Sequence, residues 1–268
     1  MPLRDVVIEL STGPVRVRIH GDNGPALLWT HGVFHPIDVD DRSPLGPVFD
    51  ALPDVRVIRY DTRGQGRTPA LETEEAHRWD ALADELLALA DALGLDRFVA
   101  GGISMGAAIT LHAALRAPER IAAMILLAPP TAWETRPAAQ ESYRALASLD
   151  GPRAVAARVA SDIEREMPDG VIPAPLQFMV DELAKSDATA LGRVLRAAAE
   201  SDLPAREALS TLAVPTLLLP WVDDSGHPIS TAEALQQTLP NARTVVLRGV
   251  SDTEAIVGAM RAHLGTVL

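Results

Sequence analysis

The chain has 268 residues, a formal net charge of −12 at pH 7 and no cysteine. The lack of cysteine excludes disulfides, thiolate catalysis and thiolate metal sites. The acidic balance argues against general affinity for nucleic acid or an anionic membrane, because phosphate binding needs a basic surface. No apolar run approaches the ~20 residues that span a bilayer, and the N-terminal segment MPLRDVVIEL is not typical of a signal peptide. We therefore expect a cytoplasmic protein with no nucleic-acid or membrane partner.

Short apolar runs alternate with helical stretches along most of the chain, which predicts a mostly parallel twisted sheet with helices on both faces. The first two runs, Asp5–Leu10 and Pro14–His20, are separated by a Ser-Thr-Gly turn and predict an antiparallel pair. The later runs predict six more strands, at 26–30, 55–60, 97–101, 121–128, 214–219 and 243–247. Helical spacing of apolar residues predicts helices at 74–93, 104–116 and 230–239.

The alternation stops between residues 131 and 210. This stretch is rich in Ala and Glu, and Pro and Gly break it at 151–152, 168–170 and 173–175 into helical pieces at 138–149, 152–166, 174–185 and 188–199. Roughly 80 residues is far more than a single crossover between strands needs. We interpret residues 131–210 as a helical lid inserted into an α/β core that is formed by residues 1–130 and 211–268.

A serine stands at the junction between a predicted strand and a predicted helix. The segment RFVAGGISMGAA contains Gly102-Ile103-Ser104-Met105-Gly106, which fits the G-x-S-x-G pattern in a strand–turn–helix context. The glycines are needed because side chains two positions on either side of the serine would collide with the strand and the helix. The turn would expose Ser104 at a helix N-terminus, where a developing negative charge is stabilised. The pattern indicates a nucleophile elbow.

Three further segments, in the correct order, make this chain resemble the α/β-hydrolase fold superfamily. His31-Gly32-Val33-Phe34 looks like its oxyanion turn, and the resemblance implies that the backbone N–H groups of Val33 and Met105 bind the oxyanion. The segment 61–68, DTRGQGRT, is similar to the family's D-x-R-G-x-G-x-S loop, which marks the fold. Asp224, in the segment DDSGHP at 223–228, resembles the family's catalytic acid, and the neighbouring Asp223 is an alternative for that role.

The family's catalytic histidine follows the last strand, and here Asp252 occupies that position. Two imidazoles are candidate substitutes for the base: His35, just after the oxyanion turn, and His227, three residues after Asp224. A different hypothesis makes Asp252 itself functional. If Asp224 and Asp252 faced each other, the pair would hold a proton near neutral pH and could perform acid/base chemistry without an acyl-enzyme.

Three functional classes follow from these alternatives. The first is a serine hydrolase that cleaves a small apolar acyl compound (a carboxylic ester, lactone or thioester) through Ser104, Asp224 and an atypical or incomplete triad. The second is a lyase, cyclase or isomerase on the same scaffold, and the third is a small-molecule binding protein without activity. No metal-ligand spacing, phosphate loop or dinucleotide pattern is found, so we predict no cofactor. The use of arginine in place of lysine, with Lys185 as the one lysine, is typical of a bacterial source.

Overall fold

The computed structural model describes residues 3–167 and 171–267, and in these ranges an eight-stranded sheet forms the centre of the molecule. The strand order is β1-β2-β4-β3-β5-β6-β7-β8. β2 pairs antiparallel with β1 and β4, and every other pair is parallel. This confirms the predicted fold class. The strands are β1 Leu3–Leu10, β2 Gly13–His20, β3 Ala26–Thr30, β4 Arg56–Tyr60, β5 Phe98–Ile103, β6 Ile121–Leu127, β7 Thr216–Leu219 and β8 Ala242–Thr244.

Helices cover both faces of the sheet. They are α1 Ile37–Asp40, α2 Gly46–Asp50, α3 Trp79–Ala92, α4 Met105–Arg116, α5 Arg136–Ala147, α6 Gly151–Glu166, α7 Ala174–Leu183, α8 Ala188–Ala199, α9 Arg206–Leu209, α10 Ile229–Thr238 and α11 Thr253–Val267. Successive strand residues point to opposite faces. Leu28 therefore belongs to the core with α3, α4 and α10, while its neighbours Leu27 and Trp29 pack in the core with α2 and α11. β6 is buried along its whole length, as expected of a central parallel strand.

The predicted elements at 74–93 and 243–247 differ from the structure in a way that has a clear physical reason. The helix expected over 74–93 is divided: a 3₁₀ turn at Glu75–His77 is followed by Arg78 in extended conformation, and α3 starts at Trp79. A tertiary contact explains the break, because the N–H of Trp79 donates to Ser201 Oγ instead of continuing a helical ladder. The last predicted strand, 243–247, is regular only over β8. Beyond it, the N–H groups of 245 and 247 still donate to the carbonyls of 218 and 220.

Helices α5 to α9 follow β6 and precede β7, in the region that the sequence predicts to be a lid. One apolar cluster joins α6, α7 and α8. It also contains Val39, and Phe34 packs against it. Arg42 stacks on the ring of Phe178, 3.7 Å from its centroid. The division of the chain into core and lid stays a prediction, and the predicted break at 168–170 lies outside the described residues. None of the described helices combines the length and apolar character needed to cross a bilayer.

Candidate active site

Ser104 lies in a strained turn between β5 and α4. Its φ is +55° and its ψ is −117°, a backbone conformation that is unfavourable for a residue with a side chain. A Cβ at Gly102 would lie 2.5 Å from the carbonyl carbon of Gly106, and a Cβ at Gly106 would lie 2.0 Å from the carbonyl oxygen of Thr30. Only glycine fits at either position, so the sequence pattern and the strained turn have the same cause.

The imidazole that meets Ser104 belongs to His227. Its Nε2 lies 2.8 Å from Ser104 Oγ, and its Nδ1 lies 2.8 Å from Asp224 Oδ2. The loop between β7 and α10 thus supplies both groups, three residues apart. Of the two imidazoles that the sequence offers as substitute bases, the structure brings His227 to the serine.

The loop also fixes the carboxylate of Asp224. Its Oδ1 accepts from the backbone N–H groups of Gly226 and His227, at 2.9 and 3.1 Å. Its Oδ2 accepts from the indole N–H of Trp221 at 2.7 Å, besides the bond to His227. Burial alone would raise the pKa of Asp224, but these donors and the positive charge that His227 can carry outweigh burial and lower the pKa to about 2. Asp224 is therefore ionised throughout the neutral range.

This arrangement determines where the proton of His227 resides. An ionised carboxylate can only accept, so Nδ1 of His227 carries the hydrogen and donates it to Asp224. Nε2 is then a free acceptor for the Ser104 hydroxyl hydrogen. The indole of Trp221 packs edge-on against the imidazole, with ring centroids 5.9 Å apart. A serine beside an imidazole in this tautomer can lose its proton as it attacks a carbonyl carbon.

The turn after β3 lies against Ser104. A Cβ on Gly32 would be 3.4 Å from the Cβ of Ser104. The next residue, Val33, was predicted with Met105 to bind an oxyanion. Among the backbone hydrogen bonds of turns and helix ends in residues 3–167 and 171–267, none is donated by Val33 or Met105. Both N–H groups therefore have the capacity to bind an oxygen that develops negative charge.

His31 supports this turn from inside the protein. The N–H of Thr62 donates to its Nε2 at 3.0 Å, so Nδ1 carries the hydrogen and donates to the carbonyl of Gly32 at 2.7 Å. Burial lowers the pKa of His31 below its ordinary value, which keeps the ring neutral and preserves both bonds.

Asp252 and His35 have their charged partners outside the group formed by Ser104, His227 and Asp224. The Asp252 carboxylate faces Arg248, whose Nε is 3.7 Å away, and its backbone carbonyl accepts from Ile256 at the start of α11. The Asp224 carboxylate has its hydrogen bonds with Trp221, Gly226 and His227, and acid/base chemistry by an Asp224–Asp252 pair stays a prediction. His35 faces the buried Asp40, with 3.5 Å between Nδ1 and Oδ1.

The loop at 61–68 braces the same edge of the sheet. Arg63 is buried, forms an ion pair with Glu85 and donates to the carbonyl of Pro14 at 2.8 Å. A cavity of about 290 Å³ lies beside the turn after β3, and Phe34 and Gln65 are among the residues that line it. Within the described ranges, no group of three or more His, Asp and Glu side chains is placed to hold a metal ion.

Many hydrolases use a serine that contacts an imidazole, which in turn contacts a carboxylate, at the edge of a parallel sheet. The sequence model of the alpha/beta hydrolase fold family matches residues 25–251, and the chain belongs to this family. The chain is an enzyme of a hydrolase family, and the relatives that it matches are named as a hydrolase or a lactonase. It is 31% identical over 212 residues to "Putative carbamate hydrolase RutD" of Pseudomonas savastanoi pv. phaseolicola, covering 71% of this chain and 74% of that protein.

Two further relatives and one solved structure agree with this placement. A match to 3-oxoadipate enol-lactonase 1 of Acinetobacter baylyi is 26% identical and covers 82% of this chain and 80% of the relative. A shorter match, 41% identical over 88 residues, covers 32% of this chain and 32% of RutD from Rhizobium rhizogenes. The crystal structure of a hydrolase from Pseudomonas aeruginosa PA01 superposes with a TM-score of 0.80 at 23% identity, covering 97% of this chain and 98% of that one. This last likeness is one of fold.

Proposed function

We propose that this chain hydrolyses a small acyl compound (an ester, lactone, thioester or carbamate) through an acyl-serine intermediate. Ser104 is the nucleophile, His227 the general base and then the general acid, and Asp224 the carboxylate that orients the imidazole. The observation that carries the proposal is the continuous pair of 2.8 Å contacts from Ser104 Oγ through His227 to Asp224.

In this mechanism Ser104 Oγ attacks the carbonyl carbon while His227 Nε2 takes its proton. The carbonyl oxygen becomes an oxyanion, which the N–H groups of Val33 and Met105 bind at the N-terminus of α4. His227 then gives its proton to the leaving alcohol, thiol or amine, and the acyl group stays on Ser104. Water attacks the acyl-serine by the same steps and releases the acid.

The acyl substrate class has support of two kinds. The names of the relatives concern a carbamate and an enol-lactone, in both of which a carbonyl carbon bonded to a heteroatom leaving group is the reacting centre. In addition, the apolar cluster of α6 to α8 contacts Phe34, the last residue of the proposed oxyanion turn. An apolar acyl chain fits such surroundings better than a charged one.

The lyase and binding-protein alternatives do not need an activated serine, so one experiment separates the classes. The protein is incubated with a fluorophosphonate, and the modified peptide is identified by mass spectrometry, with Ser104→Ala as the matched control. We expect saturable labelling at Ser104 and turnover within a panel of p-nitrophenyl esters, lactones and aryl carbamates. An intact wild-type protein that stays unlabelled would overturn the proposal and favour the other classes.

A further inference from the structure

Gln65 lies between the two elements that carry the proposed oxyanion donors. Its Oε1 accepts from the N–H of Phe34 at 2.9 Å, one residue after Val33. Its Nε2 donates to Thr62 Oγ1 at 3.0 Å and points to Met105 Sδ at 3.8 Å. A backbone N–H can only donate, so the carboxamide orientation is fixed by Phe34.

The backbone at Phe34 needs this support. Phe34 has a φ of +68°, in the left-handed region that residues with side chains rarely adopt. Such strain persists only where surrounding contacts hold it. Two hydrogen bonds support the backbone here: the Phe34 N–H donates to Gln65, and the His35 N–H donates to the Gly32 carbonyl at 3.1 Å.

Gln65 is itself firmly held. Its N–H donates to the carbonyl of Thr62 at 3.1 Å, and its own carbonyl accepts from Thr68 at 3.2 Å. Thr62 is fully buried and bonded to His31, which in turn holds Gly32. The side chain of Gln65 therefore extends from a rigid loop and can transmit that rigidity to the turn.

We propose that Gln65 is a positioning residue, which sets the spacing between the Val33 and Met105 N–H groups by holding Phe34 on one side and Met105 on the other. This inference rests on the proposed function, because spacing matters only if an oxyanion forms there. Preorganised donors lose their effect when they are displaced, and a displacement of about 1 Å can cost on the order of 10²-fold in rate.

The test replaces Gln65 with methionine, which has similar length but no N–H donor and only a weak acceptor. We expect kcat for a short p-nitrophenyl ester to fall about 10- to 100-fold with KM within about threefold. The inhibition constant of an alkyl boronic acid, whose adduct with serine carries a tetrahedral oxyanion mimic, should rise in proportion to the loss of kcat. Affinity for the carboxylic acid product should stay within about twofold, because a ground-state ligand makes less use of the oxyanion donors.

Thr12→Val is the matched control. It removes a hydrogen bond of 2.9 Å from Arg63 of the same loop, on the side away from the turn. If the loop had only a structural role, both variants would have a lower unfolding midpoint. Their values of kcat and boronate affinity would then be the same as each other. Unchanged kcat in Gln65→Met, or a loss of kcat without a matching loss of boronate affinity, would overturn the proposal.

A second readout separates this inference from the proposed function. In the wild-type protein the Phe34 amide is hydrogen-bonded to Gln65, so its hydrogen exchange should quicken at least tenfold in Gln65→Met and stay unchanged in Thr12→Val. Unchanged exchange at Phe34 refutes the role of Gln65 even if no substrate is ever found. Absence of fluorophosphonate labelling in the wild-type protein instead refutes the proposed function, while the exchange result still decides whether Gln65 holds the turn.

Discussion

Replacing Gly106 with alanine would act on the nucleophile elbow through its tightest contact. The new Cβ would lie 2.0 Å from the carbonyl oxygen of Thr30, 2.6 Å from its carbonyl carbon and 3.0 Å from the carbonyl oxygen of His31. Ordinary non-bonded carbon contacts are about 3.5–4.0 Å, so α4 or the end of β3 must move by roughly 1 Å or more. All three atoms belong to the backbone, and no side-chain rotation relieves the clash.

Two effects follow from that movement. Overpacking typically costs about 1–3 kcal/mol, and the rigid partners place this substitution at about 3 kcal/mol of unfolding free energy. The displaced backbone leads directly into Gly32 and Val33, so kcat should also fall on the order of 10²-fold in the protein that remains folded.

Gly258→Ala is the matched control for this substitution. Gly258 is exposed in α11, and a Cβ there would meet no atom within 4 Å. Alanine in a helix is favoured over glycine by roughly 0.5–1 kcal/mol, so this variant should be slightly stabilised with full activity. Urea unfolding and ester hydrolysis measure both quantities. The reasoning is refuted if Gly106→Ala unfolds at the same urea concentration as Gly258→Ala, or if it keeps the wild-type kcat.

Three further changes have definite expected outcomes. Asp224→Asn should lower ester kcat about 10³- to 10⁴-fold with little change in KM, because an amide can donate to Nδ1 and so favours the wrong tautomer of His227; retention of a tenth of the activity would contradict this. Burial and then the charge of Arg243 lower the pKa of His263 to about 4, so the folded state keeps the ring neutral while the unfolded chain binds a proton below about pH 6.5. The wild-type protein should therefore lose up to about 3 kcal/mol between pH 6.5 and 4, and His263→Gln should flatten this slope in denaturant unfolding; an unchanged slope would refute it. The guanidinium of Arg136 donates to the backbone carbonyls of Ser201 and Ala198 at 2.7 and 2.6 Å. Arg136→Met removes both bonds, so it should lower the free energy of unfolding by about 3 kcal/mol and speed proteolysis of residues 136–209. Equal cleavage rates in the variant and the wild-type protein would exclude this.

The fold and the strained turn at Ser104 could be predicted because they depend on local patterns. The eight strands lie within about two residues of the predicted runs at most of their ends, since burial of both faces of a parallel sheet requires continuous apolar segments. Gly102 and Gly106 stand in contacts that admit no side chain, so the pattern around Ser104 is a direct consequence of geometry.

The imidazole that contacts Ser104 could not be singled out from the sequence in the same way. His227 reaches Ser104 across 123 residues of chain, and this contact depends on how one short loop folds. The signal was nevertheless present: Gly226 lies between Asp224 and His227, and its small size allows a turn tight enough for two backbone N–H groups to reach the carboxylate. Comparison with the family pattern instead drew attention to Asp252, because this residue occupies the position where the family has its catalytic histidine.

The contacts of Gln65 could not be predicted from the sequence pattern either. The sequence identifies the loop 61–68 only as a marker of the fold, and in the structure Arg63 ties this loop to Glu85 and to the carbonyl of Pro14. The position of Gln65 in the pattern admits any residue, and its contacts to Phe34 and Met105 join segments about 30 and 40 residues away. Sequence patterns of local spacing do not record such contacts.

The identity of the base is the central claim, and the steady-state kcat/KM of two variants tests it most directly. On a p-nitrophenyl ester that the wild-type protein hydrolyses, His227→Gln should lower kcat/KM by about 10⁴-fold or more. Asp252→Ala, in which the carboxylate that faces Arg248 is removed, should stay within about threefold of the wild-type value. A His227→Gln variant of near-normal activity, together with an inactive Asp252→Ala variant, would contradict the triad and restore Asp252 to the active site.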